Sequence, residues 1–237
     1  MCAIILAMPA ASIRARVRAE MTDEIKAVAR RHLETDGANL SLRAVARDMG
    51  MVSSALYRYF ASRDELLTAL ILDAYNALGA AVEAADAAVT DRGDLRGRWM
   101  AAAHAIRSWA LARPAEYALL YGSPVPGYAA PQDTIAAAAR TSAVLVRILA
   151  DGHAAGAVAA PEHPLRLAAA VRADLALARD QIAPGLPEEL LLLGMTGWLQ
   201  LFGTVSFELF GQLNNVIEAR AGFFDQQMQL MSEVMGI

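Results

Sequence analysis

The stretch Ser41–Glu65, SLRAVARDMGMVSSALYRYFASRDE, constrains this chain more tightly than any other part of it. Apolar residues fall at Leu42, Val45, Met49, Met51, Leu56 and Tyr59, with the small Ala46 at an inner position and Gly50 where the direction must change. One long helix does not bring those residues to one side, whereas two short helices meeting at a sharp angle do. Ser41 is placed to cap the first, because its hydroxyl can accept a hydrogen bond from an unpaired N–H of the first turn. Gly50 supplies the positive φ that ends it cheaply. Ser53 or Ser54 then caps a second helix running to about Phe60, too short to persist without packing against its neighbours. The pair is a helix-turn-helix.

Directly behind it, Ser62-Arg63-Asp64-Glu65 reads as a capping box, with Ser62 accepting from the Glu65 amide and Glu65 reaching back to the Ser62 amide. It opens a much longer third helix, in which Leu66, Leu67, Leu70, Ile71, Ala74 and Leu78 keep helical spacing towards Ala88. Upstream, Ile25, Val28, Ala29 and Leu33 recur at the same spacing from about Thr22 to Asp36, so one more helix covers the pair and completes a three-helix head.

Taken together, LSLRAVARDMGMVSSALYRYFASRDELL resembles the N-terminal DNA-binding domain of the TetR family of bacterial transcriptional regulators, over roughly residues 20–72. In such a domain the second helix of the pair lies in the major groove and the first crosses the backbone. Carried onto these positions, the resemblance implies that Tyr57 and Tyr59 donate to phosphates and that Ser53 and Ser54 form the helical turn nearest the base edges. It implies that Arg43 reaches a guanine, bidentate to O6 and N7, and that Arg63, replacing the usual lysine beside the capping serine, contacts phosphate. Ala55 stands where relatives often carry threonine, which removes one backbone contact. Tyr59 equally fits a core position, and Arg58 points to solvent.

The chain has 237 residues, 56% of them hydrophobic, and is rich in alanine and poor in β-branched runs, so the fold class is all-α. Its net charge of −4 does not advertise a nucleic-acid binder. The distribution does: up to residue 65 there are 10 basic and 8 acidic residues, a balance of +2, against 11 and 17, or −6, in the remainder. The single cysteine, Cys2, excludes an internal disulfide and a Cys-based metal site and fits a reducing cytoplasm. The opening MCAIILAMPA is apolar, but its arginines follow the apolar run, the reverse of a signal peptide. Residues 1–19 are therefore expected as a flexible arm whose SIRARVR segment either follows DNA phosphates or the minor groove, or is ordinary solvated tail. The DNA-binding domain is placed at residues 20–66 and a larger helical ligand-binding and dimerisation domain at 67–237.

In that larger part, Thr90–Gly97 reads as a polar connection, followed by a helix from about Arg98 to Arg113. A short helix opened by Pro114 stops near Gly122, and SPVPGYAAP, residues 123–131, forms a loop. Further helices are expected over about Gln132–Gly152, Pro164–Ile182 and Asn214–Met235. Leu190–Phe207 runs for eighteen residues without a charge, long enough to span a membrane. Its three glycines, its polar Thr196, Gln200, Thr204 and Ser206, the following Glu208 and the absence of flanking Arg/Lys clusters favour a helix buried against its own domain and a second subunit. Two adjacent apolar terminal helices are what a twofold four-helix interface requires.

This half is also similar to the Trp-His-Gly class of TetR-family C-terminal domains, from Gly197-Trp198 through Phe202-Gly203 to Glu208-Leu209, with Phe202 where His is usual, and in Arg113-Pro114-Ala115-Glu116-Tyr117. The resemblance implies a ligand pocket, for which Trp99, His104, Trp109, Tyr117, Tyr121 and Trp198 are the candidate lining residues. Each fits a core or interface position as well. The histidines His32, His104, His153 and His163 lack partners at metal-binding spacing, no phosphate loop is present, and the Gly122-Ser123 step runs into proline rather than a nucleophile elbow. No catalytic residue, metal or cofactor is therefore expected. The expectation is a cytoplasmic homodimeric regulator, a repressor, that binds a palindromic double-stranded DNA operator and answers to an unidentified small-molecule effector. The competing reading is an all-helical ligand carrier or enzyme without DNA function.

Overall fold

The computed structural model describes residues 10–37, 39–160 and 166–237, and among them are ten helices and no strand. In order they are α1 (Ala10–Asp36), α2 (Leu42–Asp48), α3 (Ser53–Leu56), α4 (Arg63–Ala88), α5 (Leu95–Ala112), α6 (Pro114–Tyr121), α7 (Thr134–Ala154), α8 (Ala169–Ile182), α9 (Glu188–Leu209) and α10 (Arg220–Met235). The all-α class is as the composition requires. The chain divides into two compact units: one takes the described residues up to Asp73 together with Ala115–Pro131, the other Ala74–Pro114 with Gln132–Ile237.

The first unit is built on the apolar faces already visible in the sequence. Ile25, Val28, Ala29 and Leu33 of α1 are buried with Val45 and Ala46 of α2, Leu56 of α3 and Leu66, Leu67 and Leu70 of α4. The segment after Pro114, expected as a short helix and a bare loop, packs onto the same core through Ala115, Leu119, Val125 and Tyr128. Polar ties reinforce it. Lys26 reaches Asp73 at 2.9 Å, and Arg30 bridges Asp73 to Glu116 through a 3.0 Å contact. The Thr68 and Tyr128 hydroxyls lie 2.9 Å apart.

The N-terminal arm departs from expectation. Residues 1–9 lie outside the described residues, but from Ala10 onward the chain is helix, continuous with the packed part of α1. Once that part is held by tertiary contacts, extending it through alanine and arginine adds one hydrogen bond per residue at no nucleation cost. The ion pair Arg16–Glu20, four residues apart at 3.5 Å, supports the exposed extension.

The second unit packs α9 and α10 against α5 and α7, burying Trp99, Ile106, Val144, Ile148, Leu201, Phe224 and Met228. Its helices begin and end close to where spacing put them, with three shifts. Asp94 accepts from the Gly97 amide at 2.8 Å and so starts α5 at Leu95, inside the expected connection. The last helix starts at Arg220 rather than near Asn214, because Asn215 takes a left-handed φ of 60° that no helix continues. Pro164, the expected start of α8, lies outside the described residues, but 166–168 are described and not helical, so α8 begins later than expected, at Ala169.

Arg98, 0% exposed, is held inside this unit by acids from two other helices. Its Nε donates to Asp86 Oδ1 at 2.7 Å and its Nη1 lies 2.9 Å from Asp151 Oδ2, while Arg92 reaches the other Asp86 oxygen at 2.6 Å. Burial alone would raise the Asp86 carboxyl, but the hydrogen bonds from Arg98 and Arg92 outweigh it and hold the group below the ordinary carboxylate range. Asp86→Ala, which leaves buried Arg98 with Asp151 as its remaining carboxylate partner, is expected to cost about 2–3 kcal/mol in urea denaturation, the range for losing hydrogen bonds to a charged group. Since the folded-state pKa of Asp86 is depressed, its contribution is complete above the ordinary carboxylate pKa and is lost as pH falls through the depressed value. The variant should therefore show a flatter acid limb in its stability profile.

Candidate nucleic-acid interface and internal cavity

The turn between α2 and α3 depends on the backbone at one residue. Ser41 caps α2, its hydroxyl accepting from the Ala44 amide at 3.4 Å. At the other end the Met51 amide bonds to the Ala46 carbonyl at 2.8 Å and the Gly50 amide to the Arg47 carbonyl at 3.0 Å. That pairing is a Schellman motif, and it requires the left-handed φ of 65° that Gly50 adopts. The chain then enters α3 with Val52 at the N-cap and no side-chain cap, so Ser53 and Ser54 are the first helical residues and not the cap expected of them. Regular α-helix covers only Ser53–Leu56, and hydrogen-bonded turns carry the chain to Phe60.

Leu56 and Phe60 face the core, which turns the opposite side outward. Ser54 and Arg58 are exposed there, with Tyr57 46% exposed, and Arg43 and Arg47 are exposed on α2. Ser53 is half-buried, as is Tyr59, which packs on the core with the Arg18 guanidinium 5.0 Å from its ring centre. Arg18 also donates to the Arg58 carbonyl at 2.8 Å, so the helical extension of α1 braces the end of the α3 turn. Sequence spacing offers no sign of that contact, which joins residues forty apart.

Arg63 is partly committed inside its own unit, donating through Nε to the Leu40 carbonyl at 3.1 Å. The capping box forms with one change of partner: Ser62 accepts from the Glu65 amide at 3.1 Å, but the Glu65 carboxylate accepts from the Ala61 amide and not that of Ser62. His32 ties α1 to α2 through a 2.8 Å contact with Asp48, whose carboxyl that hydrogen bond draws below the usual range. His104 pairs with Asp225 at 3.2 Å, and His153 Nδ1 lies 3.1 Å from the Val158 carbonyl oxygen. His163 falls outside the described residues, and no group of acids, histidines and cysteines that could hold a metal occurs among those described.

The second unit holds an apolar cavity of about 230 Å³, partly open to solvent, between α5, α7, α8, α9 and α10. Of the six candidate aromatics, Trp99 and Trp198 stand on its wall, and Phe202 packs against Trp198 at 5.6 Å between rings. The other four candidates lie elsewhere. His104 is on the outer side of α5, and Trp109 is buried with Arg113 over its ring at 5.8 Å. Tyr117 and Tyr121 stack at 5.1 Å within the first unit. Gly194 and Gly197 let the walls approach α9: a Cβ at Gly194 would lie 2.6 Å from Leu149 Cδ1, and one at Gly197 would lie 2.8 Å from Met235 Sδ. Each helical glycine costs about 1 kcal/mol relative to alanine, so close approach is what it supplies.

A helix-turn-helix presenting an exposed, arginine-flanked short helix, on a chain that also carries a helical cavity unit, defines a DNA-binding transcription regulator. Comparison with known proteins gives the family. Residues 25–70 match the family described as bacterial regulatory proteins, tetR family, and residues 99–231 match the tetracyclin repressor-like C-terminal domain. The chain is 38% identical over 235 residues to the HTH-type transcriptional regulators Rv1816 of Mycobacterium tuberculosis and Mb1846 of Mycobacterium bovis, with 94% of this chain and 95% of each relative covered. Among solved structures it is similar to SCO4313, at 36% identity and a TM-score of 0.75 over 92% of this chain and 97% of that one. A Rhodococcus sp. RHA1 protein of unknown function matches at 25% identity and a TM-score of 0.66, over 91% and 93% of the two chains. The chain belongs to the TetR family of transcriptional regulators, and its relatives are regulators, not enzymes.

Nothing lies within 4 Å of a Cβ built on Gly50, so a substitution there meets backbone strain alone. Gly50→Ala is expected to lower stability by about 1 kcal/mol, and Gly50→Asn by less because asparagine tolerates the left-handed region. Chemical denaturation of the two variants checks the order.

Proposed function

We propose that the protein is a homodimeric repressor that binds a palindromic DNA operator and responds to a small-molecule effector. The observation that carries the DNA reading is the split of α3, with Leu56 turned inward and Ser54 and Tyr57 outward. Tyr57 donates to phosphate, Ser53 and Ser54 stand nearest the base edges, and Arg43 reads a guanine from α2. Tyr59 and Arg63 contribute mainly by bracing the turn and the entry to α2, through Arg18 and the Leu40 carbonyl. Repression is supported by the description of the matched C-terminal domain as tetracyclin repressor-like.

Dimerisation is supported by one stripe of α9 and α10. Leu199 is 60% and Phe207 55% exposed on α9, and Leu230 and Val234 are exposed on α10, at helical spacing along adjacent helices joined by a Gln200–Gln227 hydrogen bond of 2.7 Å. Exposed apolar residues on two adjacent helices are what an interaction surface requires, and a twofold pairing of that face places four helices together. Helices α4 and α9 are long and apolar enough to cross a membrane. In a cytoplasmic regulator α4 instead keeps Glu83 and Asp86 in ion pairs, and α9 gives its bare face to the partner. The two α3 helices would then meet half-sites about 34–36 Å apart or a helical-turn multiple of that.

An effector in the cavity changes operator affinity only by binding the two states of the dimer unequally, and about 2 kcal/mol of coupling gives roughly a thirtyfold change.

Gel shifts with the DNA flanking the protein's own gene test the reading. Sequence-selective, salt-sensitive binding is expected, with Tyr57→Phe weakening specific and random DNA by the same factor and Arg43→Ala narrowing the ratio between them. Equal losses on both DNAs for both variants would defeat the Arg43 assignment. Leu199→Glu is expected to sediment as a helical monomer with no operator binding. A dimer that survives this change, at protein concentrations where the wild type is dimeric, would place the interface elsewhere.

A further inference from the structure

Resting on the ligand-responsive reading above, the chemistry of the cavity wall restricts what it can hold. No charged side chain lines it. Of its polar groups, the Ser142 hydroxyl donates to the Ala139 carbonyl at 3.0 Å and keeps its acceptor lone pairs, the Trp99 indole N–H is used on the Met228 carbonyl at 2.9 Å, and the Trp198 indole N–H is a neutral donor. The rest of the wall is leucine, isoleucine, valine, methionine, small residues and the faces of the two tryptophans. An ionised carboxylate, phosphate or ammonium buried against this wall would lose its hydration and meet no counter-charged side chain.

Size narrows the class further. An apolar cavity of about 150 Å³ accepts benzene, so the 230 Å³ here suits a molecule of about ten non-hydrogen atoms, below the usual range for drug-sized ligands. Met195 and Met235 supply flexible, polarizable contacts that tolerate small differences in ligand outline. The flat faces of Trp99 and Trp198 favour a planar ring system that can stack or meet them edge to face.

We propose that the cavity binds an uncharged, apolar, preferably planar molecule of about ten non-hydrogen atoms, the size of a fused bicyclic arene, and rejects the matching carboxylate. The probes are naphthalene and 2-naphthoate, tested on the full-length protein by thermal shift and by quenching of tryptophan fluorescence. Naphthalene should raise the melting temperature and quench, and 2-naphthoate should bind roughly a hundredfold more weakly or not at all. Ala178→Phe, which fills the cavity from the half-buried side of α8, should abolish naphthalene binding while leaving the helical circular dichroism intact. If that variant does not fold, the comparison of the two probes on the wild type still decides. Equal binding of the two probes, no binding of naphthalene, or unchanged binding to a folded Ala178→Phe would each overturn the assignment. Naphthalene that binds as described but leaves operator affinity unaltered would instead defeat the ligand-responsive reading and leave the cavity's chemistry standing.

Discussion

The left-handed backbone step at Gly50 is the constraint on which the DNA-facing surface depends. It ends α2 by satisfying two of its last carbonyls and redirects the chain within two residues, so that Leu56 and Phe60 arrive at a core already lined by Val45, Ala46 and Leu66. With those two anchored, the period of the helix leaves Ser54 and Tyr57 on the far side. A residue with a Cβ would have to hold the same φ at a cost of about 1–2 kcal/mol, and α3, with one regular turn, has no internal hydrogen bonding to offset that. The exposure of Tyr57 thus follows from backbone geometry seven residues upstream.

The second unit handles polar and apolar burial in opposite ways. Its buried cation, Arg98, is surrounded by Asp86, Asp151 and the Arg92 carbonyl, so the low-dielectric interior strengthens each contact in place of stranding a charge. Arg107 is matched to Glu208 by two hydrogen bonds of 2.8 and 2.6 Å, and Arg140 to Glu83 by two of 2.9 and 2.6 Å. The cavity lies among the same helices and carries no charged side chain on its wall. Ion pairs hold the helices together where the packing is solid, and the hollow is left to side chains whose only attraction for a guest is dispersion and the release of water.

Helix α1 shows how tertiary contact alters a local preference. By composition its first ten described residues could be helix or solvated coil, and isolated they would be marginal as either. Packing of Ile25, Val28 and Leu33 nucleates the helix, and the Arg18 contacts with Tyr59 and the Arg58 carbonyl give the extension something to hold. The result is a helical edge, with Arg18 beside the α3 turn, in place of an irregular arm.

The sequence by itself determined the all-helical class, the helix-turn-helix with its Ser41 cap and Gly50 turn, the buried faces of α1 and α4, and the family, because each of these is written in spacings of three to five residues and in the special φ of one glycine. Only the tertiary structure decided that Ala115–Pro131 packs with the first unit, that Arg63 serves the Leu40 carbonyl, that Glu65 pairs with Ala61, and that of six candidate aromatics two reach the cavity. Those outcomes rest on meetings between residues twenty to a hundred or more positions apart, or on which rotamer a packed neighbour permits, and neither is encoded in local periodicity.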